Sequence, residues 1–205
     1  MTTWYTSDWH LGHKNILRFG SGRPFASIEE HDTELVRRHN AVVAPSDTVV
    51  VLGDVAMGKI EESLALCKQM NGSKILVCGN HDRPAMTSRR FDKMFSWIHR
   101  YREEGGFDGV WLEAPNTVEL GGHSVLVSHY PYRGDSGEAD RYLDRRPVDT
   151  GGWLLHGHIH EAWRQRDKMI NVGVDVWDFY PVSESRLAEL ITAAESGSTA
   201  AAGRR

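Results

Sequence analysis

Five short blocks hold the residues of this chain whose types and spacing could do chemistry: Asp8-x-His10, Gly53-Asp54, Gly79-Asn80-His81-Asp82, Ser128-His129 and Gly157-His158-Ile159-His160. Singly, an aspartate at the end of a strand is an ordinary turn or capping residue. Together the blocks offer a mixed oxygen and nitrogen donor set of the kind that holds two divalent ions a few ångströms apart. Carboxylates bridge such ions and neutralise their charge, while neutral imidazoles supply firmer nitrogen donors. Asp8 and His10, two residues apart, share a face if the strand continues through them. His158 and His160 repeat that spacing, so one loop can offer both imidazoles.

The elements that must position these groups are legible in the first half. The runs Thr3 to Thr6, Asp47 to Leu52 and Lys74 to Val77 are short, apolar and β-prone, and each stops at Gly or polar residues, as buried strands do. Ser27-Ile28-Glu29-Glu30 reads as a capping box opening a helix with Leu35, Val36, Val42 and Val43 on its apolar face. A second helix is predicted over about Lys59 to Met70, stopped by Asn71-Gly72. The order is β-α-β-α-β, with the functional blocks at the C-terminal strand ends, where α/β sheets place ligands.

The second half reads as more antiparallel. Thr117 to Leu120 and Ser124 to Val127 flank Gly121-Gly122, a hairpin signal. Further strands are predicted at Trp153 to His156 and Met169 to Val174. Residues 131–150 are charged, aperiodic and long for a simple connection, which suggests a functional loop. A single domain is expected over residues 1–190, with a small-residue, polar tail over 191–205 that lacks a core-forming pattern.

Composition narrows the function classes. The chain has 205 residues and a net charge of -4, so it lacks the global basic footprint of a protein that wraps extended duplex DNA. No apolar run approaches the roughly 18 residues of a membrane span, and the N-terminus reaches charged residues too early for a signal peptide. Cys67 and Cys78 suit reduced thiols, and a cytoplasmic location is expected.

The five blocks in this order resemble the calcineurin-like metallophosphoesterase superfamily, with its pattern D-x-H, G-D, G-N-H-[DE], H and G-H-x-H. The segments Thr6 to Asn15 and Arg23-Pro24-Phe25 further resemble its small bacterial and phage-type phosphoesterases. The resemblance implies an α/β fold, a four-layer α/β/β/α sandwich of two packed mixed sheets flanked by helices. It assigns Asp8, His10, Asp54 and His160 to a first ion and Asp54, Asn80, His129 and His158 to a second, with Asp54 bridging. His81 resembles the superfamily's proton donor or phosphate-contacting histidine, oriented by a hydrogen bond to Asp82. A hydroxide between the ions would attack phosphorus in line. Of the metals that suit this donor set, Mn is favoured, with Fe, Zn, Co and Ni as alternatives.

The substrate implied is a phosphate ester. Gly53 to Lys59 reads GDVAMGK, not the G-D-x-x-D-R-G block of the protein serine/threonine phosphatases, which points away from phosphoproteins. Diesters of nucleotide or RNA origin, such as 2',3'-cyclic nucleotides, are favoured. A phosphomonoesterase or dinucleoside polyphosphate hydrolase is the alternative. A non-catalytic protein-binding scaffold on the same fold would lose ligands, whereas all seven and His81 are present. His13 and Arg133 are candidate substrate contacts, His156 a packed strand residue, and Asn171 a structural support for the site.

Overall fold

Thr3–Thr6 forms β1, the first of three short apolar strands that make the centre of the fold. In the computed structural model, which describes residues 1–87, 89–112, 116–137 and 139–196, it is followed by α1 (Ile28–Val42), β2 (Thr48–Val51), α2 (Ile60–Lys68) and β3 (Ser73–Val77). The chain continues through α3 (Arg83–Met86), α4 (Phe91–Glu103), β4 (Phe107–Trp111), β5 (Asn116–Leu120) and β6 (His123–Val127). It closes with β7 (Trp153–His156), β8 (Gln165–Arg166), β9 (Met169–Asn171), β10 (Val182–Ser183) and α5 (Glu184–Glu195). The start of α1 is fixed as its sequence predicts: the Ser27 hydroxyl accepts the Glu30 amide, and the Glu30 carboxylate accepts the Ala26 amide.

The strands form two five-stranded mixed sheets, ordered β10-β1-β2-β3-β4 and β5-β6-β7-β9-β8. β2 shows how they stack. Val49 and Val51 face a core shared with Leu35 of α1, Leu64 of α2 and Tyr101 of α4, while Val50 and Leu52 face a second core shared with Val125, Val127, Leu155 and Ile170 of the other sheet. Side chains alternate across a strand, so one apolar run serves both the helix layer and the facing sheet. Leu187 and Ile191 of α5 join the inter-sheet core, and this helix packs against β1 and the edge strands β5 and β10.

Three sequence expectations change. β5 and β6 form the predicted antiparallel hairpin, but β6–β7 and β7–β9 are parallel. Parallel neighbours need a long crossover, and the stretch between β6 and β7 supplies one, with no α-helix among its described residues. The strand predicted over Met169 to Val174 ends at Asn171, and Val174–Val176 is a 3-10 turn. Finally, α5 runs to Glu195, so the predicted tail loses its first five residues to this helix, and Ile191 among them is fully buried; residues 197–205 lie outside the described ones. Among the described residues no helix is long and apolar enough to cross a membrane, and both cysteines are buried.

His39, on the core side of α1, donates from Nε2 to the Asn71 carbonyl at 2.9 Å and meets the Trp9 ring edge-on. Burial holds its pKa down to about 4. The unfolded chain therefore takes up this proton near pH 6.5 while the folded chain does not, so stability is lost as pH falls from about 6.5 toward 4. By linkage His39 accounts for about 2 kcal/mol of that loss at pH 5. Urea midpoints at pH 7.5 and 5 are expected to differ less in His39→Gln than in the wild-type chain; equal differences would refute this.

Candidate metal centre

β1, β2 and β3 run parallel, as do β6, β7 and β9, so their C-terminal ends lie at one edge of each sheet. Cross-links bring the two edges together. Val174 donates its amide to the Ser7 carbonyl, His158 donates its amide to the Asp8 carboxylate at 3.0 Å, and His129 Nδ1 donates to the Leu52 carbonyl at 2.7 Å.

Beyond these ends the backbone is strained. Asp8, His10, Asp54, His158 and His160 all have φ between 49° and 73°, the left-handed region that costs a non-glycine residue about 1 kcal/mol or more. Such strain clusters where a fold aims side chains. It also corrects one expectation: β1 stops at Thr6, so Asp8 and His10 reach the centre from a left-handed loop, not from the face of a continuing strand.

The side chains converge as two groups. Asp8, His10 and His160 present ligand atoms within 4.8 Å of one another, as do Asp8, Asp54 and His129. Asp54 Oδ2 lies between the two sides, 3.8 Å from His10 Nε2 and 3.5 Å from His129 Nε2. Asn80 Oδ1 extends the second group, 3.2 Å from His129 Nε2 and 3.1 Å from His158 Nδ1. All seven predicted ligands thus meet at one edge of the sandwich.

Four features fit this cluster to cations. Both ring nitrogens of His10 are buried without a hydrogen-bond partner, a costly state unless a ligand completes it. Burial, then the Asp82 and Asp8 charges acting against His129, push the Asp54 carboxyl above its ordinary range, so the site lacks positive charge. Burial with neighbouring cationic groups drives the His10 imidazole well below its ordinary pKa, and His158 to about 3, leaving both as neutral nitrogen donors. The remaining ring nitrogens are anchored outward: His129 on Leu52, His158 Nε2 on Asp135 at 3.2 Å, and His160 Nδ1 beside Asp175 at 3.5 Å.

Glycines keep the floor open. A Cβ on Gly79 would lie 2.2 Å from Asp54 Oδ1, and one on Gly157 would lie 2.4 Å from Asp8 Oδ2, so any side chain there would displace a ligand.

His81 stands at the rim, 40% exposed, with Nε2 4.0 Å from Asp54 Oδ2. Burial and the neighbouring His129 and His13 lower its pKa to about 4. Asp82 does not orient it. The fully buried Asp82 carboxylate accepts the amides of Asp54, Val55 and Gly79 at 2.8, 3.2 and 2.7 Å, with the Tyr101 hydroxyl at 3.5 Å. It is a backbone organiser that sets the loops bearing Asp54 and Asn80.

Arg133 is not at the centre either. It is bound on the surface to Asp149 and Asp167 at 2.7 and 2.6 Å, where solvent and two carboxylates satisfy it. His13 lies beside His10, with ring centroids 5.5 Å apart, and remains near the ligands. His156 packs against Trp163 as a strand residue, and Asn171 ties the His160 and Trp163 carbonyls to its own amide group, as predicted.

Sequence reasoning gave no role to Asp135 or Asp175, and none to Arg23 beyond its motif. Arg23 is buried, holds Asp175 through two 2.8 Å bonds, and donates to the Asp8 and Trp9 carbonyls. Burial works to raise the Asp175 carboxyl, but Arg23 and His160 hold it down to about 2.

A sequence model described as the calcineurin-like phosphoesterase superfamily domain matches residues 1–181. The chain belongs to that superfamily. It is similar to the Gene 66 protein of Mycobacterium phage L5, at 35% identity over 85% of this chain and 87% of the phage protein, and to the Gene 66 protein of Mycobacterium phage D29, at 34% over 95% and 98%. The crystal structure of protein AQ665 from Aquifex aeolicus shares the fold with a TM-score of 0.68 and 27% identity, over 92% of this chain and 98% of that one. Members of the calcineurin-like superfamily are phosphoester hydrolases that use divalent metal ions, and the Asp and His groups described above suit such ions.

Proposed function

We propose that the chain is a dinuclear-metal phosphodiesterase acting on nucleotide or RNA-derived diesters, 2',3'-cyclic nucleotides among them, in the cytoplasm. The observation that carries the reading is Asp54 Oδ2 set 3.8 Å from His10 Nε2 and 3.5 Å from His129 Nε2, so that one carboxylate oxygen faces both sides of the cluster. Asp8, His10, Asp54 and His160 would hold one ion, and Asp54, Asn80, His129 and His158 the other; Mn suits this set. Bound ions supply Lewis acidity and a water acidic enough to act as a nucleophile at neutral pH.

The chain's own residues do the rest. The Asp8 and Asp54 carboxylates neutralise the ions, and the outward anchors of His129, His158 and His160 keep each ring fixed through the reaction. His81, at the rim and neutral near pH 7, donates a hydrogen bond from its ring N–H to a phosphoryl oxygen, and the leaving alkoxide takes its proton from water. Diester preference is supported by the arginines beside the ligands. Arg23, Arg141 and Arg146 engage Asp175, Asp135 and backbone carbonyls, so their charge is already offset where a monoester dianion would call on it.

Chelator-stripped protein given Mn²⁺ is expected to cleave bis-p-nitrophenyl phosphate faster than p-nitrophenyl phosphate, with no cleavage before the metal is restored. Faster monoester cleavage would favour the phosphomonoesterase reading, and cleavage of neither by chain carrying two ions would refute the activity.

A further inference from the structure

The two sides of the centre are backed differently. His160 rests on Asp175, which Arg23 fixes to the Asp8 and Trp9 carbonyls, all parts of the packed fold. His158 rests instead on Asp135, a residue of the long crossover between β6 and β7.

The Asp135 side chain is wholly buried. Its carboxylate accepts the Ser136 amide at 2.7 Å, the Arg141 amide at 3.0 Å, the Arg141 guanidinium at 2.6 Å and Arg146 Nη2 at 3.2 Å. Arg146, 4% exposed, then ties the loop shut by donating to the carbonyls of Gly134 and Arg141 at 2.9 and 2.8 Å. Tyr142 is held at φ 54° and sets its ring edge-on to His158 with centroids 5.6 Å apart, while Tyr130 packs at 5.2 Å. A strained residue over a ligand ring, and a buried carboxylate with both arginines turned onto it, are features of a built contact, not of a solvated insertion.

We propose that Asp135 is a positioning residue for the second ion and that the described residues 131–137 and 139–150 form a clasp whose closure is linked to occupancy of that ion's donor set. The proposal rests on the two-ion reading above. A carboxylate behind a ligating imidazole fixes the ring and strengthens the lone pair on the opposite nitrogen, and losing it typically weakens metal binding by roughly 10 to 100-fold. Linkage makes the effect reciprocal: an ion that binds only the closed state reduces the open population by the factor 1 + [ion]/Kd.

Mn²⁺ titration of the wild-type chain against a competing chelator is expected to show two sites. In Asp135→Asn the second site weakens by roughly 10 to 100-fold while the first keeps its wild-type affinity. A variant that binds both ions as tightly as wild type, or that loses both equally, overturns the proposal. The second readout needs no variant. Trypsin cleavage after Arg141 and Arg145 in the wild-type chain slows about tenfold at a free Mn²⁺ concentration roughly ten times the second site's dissociation constant. Equal cleavage with and without Mn²⁺ overturns the linkage. Neither readout uses turnover, so failure here is distinct from failure of the proposed hydrolysis.

Discussion

Asp54→Ala is expected to hold at most one ion per chain and to retain less than about a thousandth of wild-type diester cleavage. Its carboxylate faces His10, His129 and His81 at 3.8, 3.5 and 4.0 Å, so its loss takes an oxygen donor from both sides at once. Its φ of 56° adds strain for alanine, and an unfolded variant would be uninformative. Asp54→Asn provides the control, because asparagine tolerates the left-handed backbone and keeps an oxygen for the His81 amide, which Oδ1 accepts at 2.8 Å. Both variants are expected to lose the second ion by elemental analysis, with Asp54→Asn retaining the wild-type melting transition. Two ions per chain in either variant would contradict the shared-oxygen reading.

His81→Ala separates chemistry from metal binding. The bond from residue 81 to Asp54 comes from the backbone amide, which alanine keeps, and the imidazole is 40% exposed, so its removal leaves no core cavity. Turnover is expected to fall by about 10² to 10³-fold, the usual worth of a positioned hydrogen-bond donor to developing charge, with two ions still bound and kcat lowered more than KM is raised. An unchanged kcat, or loss of an ion, would remove His81 from the role proposed for it.

Sequence pattern located the ligands better than it located the scaffold. Asp8, His10, Asp54, Asn80, His129, His158 and His160 were visible because ligand chemistry restricts residue type at short spacing, and short spacing survives without knowledge of the fold. β1, β2 and β3 were visible as continuous apolar runs because both faces of the first sheet are covered. α4 was missed although Phe91, Met94, Phe95, Ile98 and Tyr101 recur at helical spacing; of these only Met94 and Tyr101 are buried, while Phe91 and Phe95 are exposed. α5 buries Leu187 and Ile191, too short a stripe to distinguish from the polar residues around it.

The contacts behind the ligands were the least legible. Asp82 sits beside His81 in sequence, which suggested a pairing, yet its carboxylate turns to three backbone amides that only the folded loops bring together. Asp135 and Asp175 lie 23 and 15 residues from the imidazoles they face, and no local spacing encodes such a pair. Arg133 looked eligible among the charges of its loop, but Asp149 and Asp167 claim it on the surface.

The central claim is that two ions share Asp54. Crystals of chelator-stripped protein soaked in Mn²⁺, with anomalous differences collected at the manganese edge, test it most directly. The account predicts two anomalous peaks flanking Asp54 Oδ2, one against His10 and His160 and the other against Asn80, His129 and His158. A single peak, or a peak at the neighbouring His160, Glu161 and Asp175 group with none beside Asp54, would contradict it.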